Sequence, residues 1–222
     1  MENDENDLSD ELKEYIVPYE EIFDDTIPGF IKEVQEIEIC GLDIWYHISQ
    51  LNPKLLLKRD ELFIAIRLTE CMRLFSWIKI CLIFGSYQTI FRELRFMIDS
   101  MVQAYYIDIN HFKASFESKL EVFKALSEYR NFIGSQLIDR TKLGNKEKLK
   151  KLYKELSDFV HPSYNECIDM IRTSNNQVNL SELTLNVFNK KLLLKCIAKS
   201  KDVCNEIIEI NRQFQNEFLK RI

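Results

Sequence analysis

The chain has 222 residues, which suits one domain or a domain with an appendage. Apolar residues make up 46% and charged residues 29%, as in ordinary globular proteins, and only 5 Gly and 4 Pro interrupt it. That scarcity excludes turn-rich β-sandwiches, barrels and Gly-rich phosphate loops, and a net charge of −5 opposes tight, sequence-blind nucleic-acid binding.

The charge is unevenly placed. Residues 1–25 hold 11 acidic side chains and one basic, Lys13, while the remainder holds 24 acidic and 29 basic. The expected organisation is an acidic N-terminal segment, 1–28, followed by a single helical-bundle domain, 29–222. The polar, acidic start reads against a signal peptide. The most apolar stretch, 62–84, is interrupted by Arg67, Glu70, Arg73 and Lys79, so a buried helix is expected there and not a membrane span.

Periodicity and breakers place the helices. A short one starts at Ser9, with Asp10 and Glu11 in its first turn. Pro18 and Pro28-Gly29 bracket a loop. A second helix covers about 30–50 and stops before Asn52-Pro53. A third covers 60–84, with Asp60 as N-cap. Gly85-Ser86 separates it from a fourth, 86–110. A fifth spans 115–138. Leu143-Gly144-Asn145 is a turn, and a sixth helix, 146–161, ends before Pro162. Residues 173–179 are turn-rich, as a hairpin or a loop. A long last helix covers 184–220. The sum is an all-α antiparallel bundle.

Six scattered cysteines (Cys40, Cys71, Cys81, Cys167, Cys196, Cys204) form no C-x-x-C and no zinc spacing, so reduced thiols packed as small hydrophobes in a cytoplasmic protein are expected. The dinucleotide, P-loop and nucleophile-elbow motifs are missing from the sequence, as are His-Glu-x-x-His and Glu-x-x-His pairs. No metal or cofactor site is expected.

The fourth helix carries the most information. Phe91, Leu94, Ile98, Met101 and Tyr105 repeat at 3-4-3-4 spacing as a core seam. A second stripe carries Arg92, Arg95, Phe96, Asp99, Gln103 and Tyr106, with Arg95 and Asp99 one turn apart. Glu93 falls beside Met97, Ser100 and Ala104, a face small enough for another helix to approach. The set Arg92, Glu93, Arg95, Asp99 and Tyr106 reads either as an ion-pair network that fixes helix register or as the wall of a ligand pocket. His47 is expected to pack among aromatics, and His111 to cap a helix end. His161 closes the sixth helix one turn beyond Ser157 and two beyond Lys154, held by Pro162. Such an imidazole serves either as a cap bonded to a carboxylate such as Glu93 or Asp99, or as a general acid/base.

The runs Phe91-Arg92-Glu93-Leu94-Arg95 to Tyr105-Tyr106 and Leu152-Tyr153-x-x-Leu156-Ser157-x-x-Val160-His161-Pro162-Ser163 resemble a group of uncharacterised prokaryotic, largely archaeal, helical proteins. Those in turn are similar to the HEPN-like superfamily. The resemblance covers about residues 85–165. It implies a dimeric helical bundle and, as one outcome, a metal-independent RNase of a toxin or defence system, using an Arg four to six residues before a His. This sequence departs from that pattern: Lys154 stands seven residues before His161, and no Arg lies in the window. Under the resemblance the catalytic set would be His161, Ser157 and Lys154, with Arg92 or Arg95 supplying the guanidinium fork.

Between Arg140 and Lys154 stand seven basic residues, Lys142, Lys146, Lys148, Lys150 and Lys151 among them, and one acid, Glu147. They form either a phosphate-binding stripe that would guide RNA or a solvated helix face. An aromatic content of 12% exceeds the needs of one small core, and the third helix has two apolar faces to cover. A homodimer is expected to cover the second. Two functions remain open: a self-associating, non-catalytic bundle, or an RNA-cleaving or RNA-binding effector.

Overall fold

The computed structural model describes residues 29–50, 52–56, 59–128, 135–160 and 189–221. Every regular element among them is helical. They are α1 (29–49), the single turn α2 (Pro53–Leu56), a 3-10 turn (Arg59–Glu61), α3 (Phe63–Ile83), α4 (Tyr87–Asn110), α5 (Phe116–Glu128), α6 (Ser135–Arg140), α7 (Lys146–Val160) and α8 (Lys190–Leu219). None of these helices is long and apolar enough to cross a membrane. The expected helix at Ser9, the turn-rich stretch 173–179, Cys167 and His161 lie outside the described residues.

Helix α4 is the central rod, packed against α3, α7 and α8. Its seam of Phe91, Leu94, Ile98, Met101 and Tyr105 is buried, and so are Met97, Ser100 and Ala104 on the neighbouring face. A central helix needs more than one apolar stripe, and the small residues of the second let α3 approach. Helix α1 runs antiparallel to α3. Lys79 pairs with Glu38 at 2.7 Å, and a Cβ placed on Gly41 would stand 3.5 Å from the Phe75 Cβ. On its other flank α1 meets α8 through the Lys201–Glu36 pair at 2.7 Å and a Cys204 Sγ to Cys40 carbonyl contact at 3.4 Å.

The end of α3 follows from Gly85, whose φ of 65° only glycine adopts without strain. The Gly85 N–H donates to the Leu82 carbonyl at 3.2 Å and the Ser86 N–H to the Cys81 carbonyl at 2.8 Å, the two bonds of a Schellman motif. The chain therefore turns sharply into α4.

The start of α3 differs from the sequence expectation. Asp60 sits in the 3-10 turn, and the N-cap is Leu62, whose side chain makes no cap bond. The acceptor comes from 44 residues away: Asp108 Oδ2 accepts the Ile64 N–H at 2.9 Å. Asp108 is wholly buried, and the ammonium of Lys119, itself buried, bonds its other oxygen at 2.8 Å and the Glu61 carbonyl at 3.0 Å. A buried carboxylate at a positive helix end, sealed by a lysine, satisfies donors that would otherwise be orphaned.

Of the helix expected over 115–138, Phe116–Glu128 and Ser135–Arg140 are helical, with 129–134 outside the described residues. One further boundary differs. Helix α8 starts at Lys190 and not near residue 184. Asn189 caps it, its side chain accepting the Leu192 N–H at 3.0 Å and its own N–H bonding the Tyr87 hydroxyl at 3.0 Å. A local asparagine and a tertiary partner together fix that start.

Candidate functional site

The expected site rests on α4 and α7 lying side by side, and they do. Helix α7 buries Leu149, Leu152, Tyr153 and Leu156 against its neighbours, and Phe159 stacks on Phe91 of α4 with ring centroids 4.2 Å apart. Lys195 of α8 places its ammonium 3.9 Å from the Phe159 ring centroid, a cation–π contact that adds a third helix to the junction.

The polar centre of this junction is Tyr153. Arg95 Nε donates to its hydroxyl at 3.0 Å, and the guanidinium carbon lies 5.1 Å from the ring centroid. Asp99, one turn beyond Arg95, shares a hydrogen bond with the same hydroxyl. Burial, followed by the charge of Asp99, pushes the Tyr153 phenol above its ordinary value of 10.0. The folded state therefore keeps that proton at a pH where the unfolded chain has lost it, and stability falls as pH rises above about 10. Burial raises Tyr87 and Tyr105 as well, so alkaline titration by ultraviolet absorbance is expected to show a group of phenolates forming later than the ordinary tyrosines, and Tyr153→Phe should lower the amplitude of that late step by one phenol.

The other expected site residues divide around this centre. Ser157 faces the junction, but its hydroxyl donates back to the Tyr153 carbonyl at 2.8 Å. Arg92 is 65% exposed and bonds Glu93 Oε1 through two nitrogens at 3.1 and 3.4 Å, and the Glu93 side chain is mostly covered. Lys154 points to solvent. Tyr106 lies two turns past Asp99, about 10 Å along α4, and is half-buried against the core, so it does not join the Tyr153 set. His161 follows Val160 in the chain and lies outside the described residues. The sequence-predicted set is therefore brought together in part: Arg95 and Asp99 meet at the Tyr153 hydroxyl, Ser157 bonds only its own helix backbone, and Arg92 and Glu93 pair with each other.

Four lysines of the basic stretch from Arg140 to Lys154 have partners within the chain, and two of these, Lys142 and Lys148, keep side chains 65% and 70% exposed. Lys148 pairs with the buried carboxylate of Glu206, Lys150 with Asp139 and Glu147, and Lys142 with Glu217 at 3.9 Å. Lys146 donates to the Asp139 carbonyl at 2.9 Å. Lys151 and Lys154 are further exposed cations of α7. The Glu206 and Glu217 partners come from α8, more than fifty residues on, which local charge counting cannot see.

Among the described residues burial pushes the Cys71 thiol up to about 12, Cys81 to about 11 and Cys196 likewise upward, while the hydrogen bond with Cys204 holds the buried Cys40 below its ordinary value. Among the described residues no group of three or more His, Cys, Asp or Glu could hold a metal ion. Sequence reading missed three residues. Tyr153 carried a signal, a hydroxyl within a leucine-lined helix face that needs a partner. Asp108 and Lys119 carried none, because neither position looks buried in isolation. Searches of family models, curated proteins and solved structures found no match to this chain.

Proposed function

We propose that this protein is a self-associating helical bundle, and that the Arg95–Tyr153–Asp99 set is a clamp between α4 and α7 and not a catalytic centre. The observation that carries this reading is an apolar face left open on α1 and α3, with Trp45 56% and Trp77 47% exposed. Tryptophan is the side chain whose exposure costs most, and large contiguous apolar patches mark interaction sites. The clamp reading rests on the closed bonding of Tyr153, whose hydroxyl is shared between a donor and an acceptor within the chain. Light scattering at micromolar concentration is expected to give twice the mass of one chain. A clean monomer would overturn the reading.

The second reading is a HEPN-like RNase or RNA-binding effector, in line with the resemblance of the α4 and α7 runs. It is favoured by one observation: α7 ends against the Arg92-bearing part of α4, through Phe159 on Phe91, immediately before His161. Metal-independent cleavage of RNA in EDTA is its expected result, lost in His161→Ala with helix content unchanged. No cleavage by the native protein, or equal cleavage by the alanine variant, rejects it.

A further inference from the structure

Helix α3 carries two patterns. Its inner residues pack on α1, α4 and the core. Its outer line runs Ile66, Glu70, Arg73, Trp77, Ile80 and Phe84, at spacings of 4-3-4-3-4, all within about 40° of one direction and over about 27 Å of helix. Ile66, Ile80 and Phe84 are each about two-fifths exposed, and Trp77 about half. Beside this line, on the α1 flank, lies an open groove of about 750 Å³ walled by Trp45, Ile48, Ala65, Ile66, Glu70 and Arg73.

We infer that α3 pairs antiparallel with α3 of a second copy about a two-fold axis between residues 71 and 72, so that Trp77 of each copy enters the groove of the other. This rests on the self-association reading and names its surface and register. In an antiparallel pair about a two-fold axis, positions that face one another have a constant sum. With the axis between 71 and 72, Glu70 of each copy faces the partner's Arg73, and Trp77 faces the partner's Ile66, which walls the groove. Two opposite-charge pairs and two tryptophan insertions then form at once. A shift that centres the whole apolar line near residue 75 would instead set Glu70, with only its own Arg67, against the partner's Ile80 and leave Arg73 facing no carboxylate, so charge complementarity selects the first register. Glu70 is available for this role. Its carboxylate takes Arg67 on one side, and its side chain is 38% exposed.

The area agrees. The outer apolar side chains of α3 with Trp45 present on the order of 500 Å². Thr69, Glu70 and Arg73 at their edge extend the footprint toward the roughly 800 Å² per partner of a stable interface. Arg67, the remaining cation of the groove, is turned inward over the Phe123 ring at 5.3 Å, which leaves Arg73 as the groove's outward-facing cation among the described residues.

The experiment is sedimentation equilibrium on the full chain and on Glu70→Arg, Arg73→Glu, the double exchange and Trp77→Ala, with circular dichroism on each. Arg73 and Trp77 are exposed and Glu70 is half-buried at the surface beside Arg67, so helix content should hold and circular dichroism checks that it does. Each single reversal is expected to weaken the dimer roughly 100-fold by setting like charges together twice, and the double exchange to restore it. Trp77→Ala should weaken it roughly 30-fold or more. A monomeric native protein, as when residues 1–28 of the same chain cover the face, overturns this inference together with the self-association reading. A native dimer that none of the variants weakens, or a double exchange as weak as the singles, overturns the α3 register and leaves self-association standing.

Discussion

Lys119→Met is expected to destabilise the fold by about 3–5 kcal/mol, more than any surface substitution in this chain. The lysine holds little stability in itself. Its removal strands a carboxylate that is wholly buried between α3, α4 and α5. Burial already pushes Asp108 above its ordinary value of 3.8, and the adjacent ammonium is the main influence that pulls it back. Without that ammonium the carboxyl rises further. The folded variant then binds a proton that the unfolded chain, near 3.8, does not hold. Its deficit should therefore be largest at neutral pH and shrink as pH falls toward 4. The double variant Asp108→Asn with Lys119→Met keeps an acceptor for the Ile64 N–H and removes both charges, and should recover most of the loss. Urea denaturation at pH 5 and pH 7.5 reads both effects. A Lys119→Met deficit below about 1 kcal/mol at neutral pH would mean that the pair is hydrated and that the start of α3 is capped in another way.

Phe91→Ala is the second large effect, expected at about 3–5 kcal/mol. Its ring is fully buried in the α4 seam and stacked on Phe159 at an interplanar angle of 18°. The truncation opens a cavity that neighbouring helices cannot close, because Leu94 and Ile98 on the same seam are already fully packed. It also frees the last turn of α7, the turn that leads to His161. Denaturation should show the loss in global stability, and limited proteolysis should show earlier cleavage near the end of α7. Arg92→Ala, one residue away and exposed, should leave both readouts within about 0.5 kcal/mol of the native protein. That contrast separates packing from charge at this junction. Equal behaviour of the two variants would mean that the α4–α7 contact does not depend on the aromatic stack.

The same contrast explains what could be read from the sequence about the candidate site. Arg95 and Asp99 were legible as a pair because an i,i+4 spacing is local, and a helix fixes it without outside help. Their true partner, Tyr153, stands 58 residues from Arg95 on another helix, and only the packing of α7 on α4 brings it there. The lysines of α7 show the reverse case. Their clustering is real in the sequence, yet Glu206 of α8 pairs with Lys148, and Glu217 with Lys142 just before the helix, partners that local charge counting does not show.

The helices themselves were legible where a breaker or a period lies within one turn of the boundary. Gly85 and Ser86 ended α3 as expected, because glycine takes a positive φ without a Cβ clash. Helix α7 is described to Val160, and the stop expected at Pro162 lies outside the described residues. Boundaries set at a distance were missed. Asp60 had the right chemistry for a cap, but the donors at the start of α3 are met by Asp108, 44 residues downstream.

What the amino-acid order determined alone is therefore the class and the rods: few breakers, 3.6-residue periodicity, an all-helical bundle and the stripes on α4. Those depend on backbone and near-neighbour physics, which act within a turn. Tertiary packing decided which charges are spent inside the fold, which carboxylate caps α3, and which apolar line of α3 is left open to solvent. Each of these is a competition between groups dozens of residues apart, and desolvation settles it only when the helices meet.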